Sequence, residues 1–173
     1  MKSFILVPLM TLGLAVSACG GDDRADNSVM AEEVETNGYT EYENERFDFL
    51  IGYPANRFTL RDAPQNNDGR VLDGPKGSTL RVFGTNNALG LTFDEQIARA
   101  SDSLSEILTE DRGENSWYVE ALDHEGQWVS LKIIHADPQR LVTARFTADD
   151  EADEALRETG RIAVRSLQLQ NNA

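Results

Sequence analysis

The chain has one cysteine, Cys19, and two histidines, His124 and His135, in 173 residues. A single cysteine makes no internal disulfide, and it cannot build a cysteine-rich zinc site, which needs several thiolates. Two histidines argue against a histidine-built metal centre. Basic residues are also scarce. Sixteen Lys and Arg stand against 30 Asp and Glu, a formal net charge of −14. Lys2 precedes Cys19 and no acidic residue does, so without residues 1–18 the balance is 15 basic to 30 acidic, or −15. That sign argues against nucleic acid as a partner, because binding there relies on Lys and Arg neutralising phosphates. It also argues against adsorption to an anionic lipid surface by charge alone. What the acidity does supply is solubility, or an acidic docking surface for a basic partner. No hydrophobic run is long: the apolar stretch from Phe4 to Val16 falls short of the about 20 residues that cross a bilayer.

That short run is a processing signal. Lys2 supplies a positive start, Phe4 to Val16 the apolar stretch, and Asp22 and Asp23 follow where a stop-transfer segment would carry basic residues. Val16 and Ala18 are the small residues an ordinary signal peptidase reads. Val16-Ser17-Ala18-Cys19 also resembles the bacterial lipobox, in which the cysteine is acylated and the chain is cut before it, here between Ala18 and Cys19. An exposed free thiol would be an oxidation liability in an oxidising compartment, which strengthens the lipid reading of Cys19. Buried methylenes contribute about 0.8 kcal/mol each, and two or more acyl chains hold firmly where one does not. The expectation is a palmitate-type anchor on Cys19 and an envelope lipoprotein facing the periplasm. Gly20 in place of an aspartate favours the outer membrane over the inner.

Residues 19–38, beginning CGGDDRADNSVMAEEVETNG, carry six acidic side chains, one Arg and no periodicity. Such a segment cannot bury enough surface to offset its ordering entropy. It is expected to be a tether with a reach of about 25 Å for about 20 flexible residues. The folded domain is expected over residues 39–168, with a tail at 169–173.

Within the domain, Tyr42 closes a first strand. Phe47, Phe49, Ile51 and Tyr53 then alternate with Asp48, Leu50 and Gly52 up to Pro54, the period of a half-buried strand. A hairpin pairs Val71-Leu72 with Ser78–Gly84. Thr92 and Glu95 have capping-box spacing. Phe93, Ile97, Ala100, Leu104 and Leu108 then fall on one stripe, which predicts a helix through Leu108. Strands at Trp117–Leu122, Trp128–Ile134 and Leu141–Phe146 follow as a meander with short turns. A second helix starts around Thr147 to Asp150 and runs through Leu156, Ala163 and Leu167, with Gly160 marking a close helix–sheet contact. Short strand–strand links make the sheet antiparallel. The fold class is α+β: a sheet of about six strands with helices on its faces.

Several segments together resemble the PsbP-like family. They are YENERFDFLIGYPANRF, the Asp68-Gly69 turn before a strand, the mid-chain helix from Phe93, and the closing RIAVRSL. The family includes an extrinsic protein of photosystem II, a Ran-binding import factor and many bacterial lipoproteins, and the likeness covers about Tyr39 to Leu167. It implies an α-β-α sandwich acting as a binding or assembly module and not as an enzyme. It carries over no catalytic residue, metal site or cofactor.

Candidate chemistry is thin. Asp123-His124-Glu125-Gly126 places a histidine between carboxylates, which suits a metal or a general base. A hairpin tip, however, needs Asp and Gly for backbone reasons. His135 sits at a strand end. Counting back from Gly69 puts the first ligand position of a calcium loop on Pro64, so that pattern fails. No serine lies in Gly-x-Ser-x-Gly, and GTNNALG lacks the lysine of a phosphate loop. Trp117 and Trp128 flank one hairpin. Either suits the core, and as a surface pair they would mark a binding patch. The expected function is a lipid-anchored extracytoplasmic binding or assembly module with a protein partner in the envelope. The alternatives are an envelope hydrolase with an unrecognised carboxylate or histidine site, and a self-associating surface protein.

Overall fold

The computed structural model describes residues 38–170. The expected signal peptide, Cys19 and nearly all of the expected tether lie outside the described residues. The order is β1 (Thr40–Asn44), β2 (Phe49–Tyr53), β3 (Thr59–Leu60), β4 (Gly69–Asp73), β5 (Thr79–Asn86), α1 (Phe93–Ser101), β6 (Leu104–Arg112), β7 (Ser116–Asp123), β8 (Trp128–Asp137), β9 (Arg140–Ala148), α2 (Glu154–Arg165) and β10 (Gln168–Leu169). A seven-stranded sheet runs β3-β4-β5-β9-β8-β7-β6, and a three-stranded sheet runs β1-β2-β10. Every pairing is antiparallel. The α+β class and the helices on both faces follow the sequence reading. The second sheet and the larger strand number were not expected.

The central strands are apolar on both faces, so two cores form. On β7, Trp117, Val119 and Ala121 point one way. With Val129, Leu131, Ile133 and Leu141 they meet Phe93, Ile97 and Ala100 of α1. Tyr118 and Trp128 point the other way, with Leu80, Val82, Val142 and Phe146, and meet α2 and β2 through Leu156, Ala163, Val164, Phe49 and Ile51. Gly160 lets α2 approach the sheet, because a methyl there would overlap the Phe146 ring. Glu120, buried on the same face, accepts from Tyr118 Oη at 2.8 Å and Arg161 Nε at 2.9 Å. Burial works against the Arg161 charge, but hydrogen bonds to Glu120, Glu154 and Glu158 outweigh it and raise its pKa.

Three expectations need correction. The mid-chain helix stops at Ser101, and Leu104 to Leu108 belong to β6, which pairs with β7. Ser101 Oγ bonds Ile97 O at 2.9 Å and Ser103 Oγ bonds Ala100 O at 2.8 Å. Such local bonds compete with the helix ladder, and the open edge of β7 takes up the released chain. The last helix begins at Glu154, where the Asp153 side chain accepts from Leu156 N–H at 2.9 Å, while Thr147 and Ala148 complete β9. The folded chain also passes residue 168, since Gln170 N–H donates to Asp48 O at 2.8 Å. Among the described residues, no helix is long and apolar enough to cross a membrane.

Candidate functional site

The two faces of the large sheet are covered unequally. A nine-residue helix is about 14 Å long, whereas seven strands at about 4.8 Å spacing span about 30 Å. The helix α1 is that short, so it cannot roof its whole face. Its start is fixed by a complete capping box: Thr92 Oγ1 accepts from Glu95 N–H, and Glu95 Oε2 accepts from Thr92 N–H at 2.8 Å. Its apolar stripe sits over β7 and β8. The β5–β9 half of the face stays open.

There a groove of about 540 Å³ lies between α1 and the sheet. Its floor is Thr79, Arg81, Phe83 and Thr85 of β5, Leu141, Thr143, Arg145 and Thr147 of β9, and Leu131 and Ile133 of β8. Gln96, Arg99, Ala100 and Ser103 overhang it, and Asp123 and Gln127 close one end. The volume is in the range of small-molecule sites. Arg145 donates to Ser103 Oγ at 3.0 Å and to Asp123 Oδ2 at 3.2 Å. The other Asp123 oxygen accepts the N–H groups of Glu125 and Gln127, each at 3.0 Å. Thr79 and Thr147 share a hydroxyl hydrogen bond of 2.8 Å across the strands. Gln96 is pinned by its bond to Asn87 Oδ1 at 2.9 Å.

A smaller cavity of about 200 Å³ on the opposite face is lined by Asp111, Ser116, Tyr118, Lys132 and Arg165. Its cations are already engaged. Lys132 Nζ donates to the carbonyls of Arg165 and Leu167 at the end of α2, at 2.9 and 2.8 Å, and the Arg165 guanidinium lies 4.0 Å from the Tyr118 ring centre. Burial, with Arg165 beside it, pushes the Lys132 ammonium below the usual lysine range. Both cations of this cavity thus serve the contact between α2 and the sheet. The edge strand β6 exposes Ile107 and Leu108, but its two register irregularities and its charges blunt it against pairing.

The residues nominated from sequence fall elsewhere. Trp117 and Trp128 form no surface patch; they are 0% and 1% exposed. In the β7–β8 register Trp117 stands opposite Ile133 and Trp128 opposite Leu122, so the two indoles lie on opposite faces of the sheet. Each fills a different core, and Trp117 Nε1–H donates to Glu110 Oε1 at 2.7 Å. His124 is exposed at the hairpin tip with Nε2 3.1 Å from Asp102 O. Its neighbour Asp123 turns inward to the groove, so the two do not converge. His135 stacks on Phe93 at 5.4 Å with the rings 7° apart. Among the described residues, no group of three or more His, Cys, Asp or Glu side chains could hold a metal ion. Sequence reading missed the groove. Its only trace was the mixed Thr-Arg-Phe-Thr alternation of β5, opposite in kind to a buried strand face.

The chain is thus an α+β domain with an incompletely roofed sheet face, and its fold is similar to that of PsbP. The solution structure of cyanobacterial PsbP (CyanoP) from Synechocystis sp. PCC 6803 matches with a TM-score of 0.50 and 14% identity, over 88% of this chain and 98% of that one. A crystal structure from Bacteroides thetaiotaomicron VPI-5482 matches with a TM-score of 0.47 and 12% identity, over 78% of this chain and half (50%) of that one. At such identity the likeness is one of fold. No protein-family model matches the sequence, and neither does any curated protein.

Proposed function

We propose that the chain is a lipid-anchored extracytoplasmic binding module whose ligand occupies the groove between α1 and strands β5 and β9. The observation that carries this reading is the open groove of about 540 Å³, floored by a sheet face that a short helix leaves uncovered. The lipobox around Cys19 and the acidic tether support the anchored part of the proposal, with the outer membrane as the destination and an envelope protein as the receiver or donor of the ligand. The groove's chemistry favours binding over hydrolysis. Asp123 is the one carboxylate lining it, and both its oxygens are engaged, by the turn backbone and by Arg145. Among the described residues, no histidine, cysteine or second carboxylate lines the groove to work with it as an acid–base pair.

Native mass spectrometry of the full mature protein, extracted from its own host's envelope, tests the proposal. Thr143 sits mid-floor, half-buried, between Phe83 and Ile133, so Thr143→Trp fills the groove from its floor. The wild type is expected to carry a bound small molecule and the variant to lose it. A ligand-free wild type, or a variant that keeps the ligand, would overturn the reading.

A further inference from the structure

We infer that the groove, read as a ligand site above, takes a small organic oxyanion, a carboxylate or a phosphate, that carries an apolar body. The argument starts with register. Arg81 of β5 stands directly opposite Arg145 of β9, on the face that lines the groove. Like charges directly opposite on an antiparallel pair are destabilising, so the fold gains nothing from this placement by itself. Arg99 hangs over the same groove from α1.

The three guanidinium groups are not equally engaged. Arg145 is held by Ser103 and Asp123. Among the described residues, Arg81 and Arg99 are both exposed and have no hydrogen-bond, ion-pair or ring partner. Elsewhere in the domain arginines are tied up: Arg61 with Asp73, Arg140 with Asp48 and Asp137, Arg161 with three glutamates. In a chain with a net charge of −14, two uncommitted arginines facing one groove beside a third form a local inversion of sign. A guanidinium offers paired N–H donors that match the oxygens of a carboxylate or phosphate.

The apolar half of the ligand is set by the next row of the sheet. Two residues further along the strands, about 7 Å away, Phe83, Thr143 and Ile133 lie side by side, and Leu141 follows in the row beyond. Phe83 is only half-buried, with its ring left to cover something. An anionic head on the arginine row therefore places a ring or short alkyl body on the Phe83 row. A cationic ligand would meet three guanidinium groups and a single, already bonded carboxylate.

Calorimetric titration and thermal-shift measurement of the full mature protein test this, with four probes of matched shape: benzoate, phenyl phosphate, benzyl alcohol and benzylamine. Benzoate or phenyl phosphate is expected to bind, and their ranking identifies the head group. Benzyl alcohol and benzylamine are expected to bind at least tenfold more weakly. Arg81→Ala should weaken anion binding by roughly tenfold or more, while the melting temperature of the free protein stays equal or rises, because the like-charge pair is gone. That combination separates a ligand role from a structural one. Binding of benzylamine or benzyl alcohol as tight as that of the anions, or an Arg81→Ala variant with unchanged affinity, overturns the anion assignment and leaves the groove reading standing. Failure of all four probes to bind, or binding that survives Thr143→Trp, overturns both.

Discussion

Replacing Cys19 with alanine is expected to move the protein from the membrane pellet to the soluble fraction. The reasoning is thermodynamic. Each buried methylene contributes about 0.8 kcal/mol, so two or three acyl chains hold a protein on a bilayer almost irreversibly, and their loss removes the whole of that term. The rest of the described chain offers no helix as a substitute. The acidic balance of 30 to 16 repels anionic headgroups, and among the described residues no helix can span a bilayer. Val16 and Ala18 still present a cut site to an ordinary signal peptidase, so the variant should begin at residue 19 and be released. Intact-mass measurement of the wild type should show residues 1–18 gone and acyl mass on Cys19. An unmodified Cys19, or a Cys19→Ala chain that begins at residue 19 and stays in the pellet, contradicts the anchor.

The largest effect on folding is expected from Trp128→Ala. The indole is 1% exposed and packs edge-on against Phe146, with ring centres 6.0 Å apart. The Arg161 and Arg157 guanidinium groups lie 5.3 and 5.9 Å from its ring centre. Truncation thus removes a large apolar volume, breaks an aromatic pair and strips two cations of the π-face they cover. A buried Trp→Ala change costs about 3–5 kcal/mol, or a fall of roughly 10–20 °C in melting temperature for a domain of this size. Urea unfolding followed by circular dichroism reads the value directly. A loss below about 1 kcal/mol would show that Trp128 is not the centre of the core under α2.

These two expectations draw on different parts of what the sequence made legible. The expectation of an N-terminal signal rests on consecutive residues alone and lies outside the described residues. Strands β7, β8 and β9 were plain in the sequence, because alternation and turn residues such as Asp123 and Gly126 agree over short distances. The strand β6 was not, since Leu104, Ile107 and Leu108 satisfy a helical spacing as well as a strand. What decided between them was the pairing available on β7, a tertiary fact. The three-stranded sheet depends on β10 reaching back to β2 from the far end of the domain, which no local pattern encodes.

The candidate site was illegible for the same reason. Arg81 and Arg145 are ordinary surface arginines until the β5–β9 register sets them opposite each other. The indoles of Trp117 and Trp128 looked like a pair only because they flank one hairpin, and the register sends them to opposite faces. Length mattered as well: the helix ends at Ser101, short of the span of the sheet, and the β5–β9 half of the face stays open.

Amide NMR spectra test the central claim most directly, recorded on the chain as isolated from its host and again after the ligand is removed by unfolding and refolding. The account predicts changes gathered in residues 79–85, 96–103 and 141–147, the segments that line the groove. Changes gathered along β6, or spectra that coincide, would contradict it.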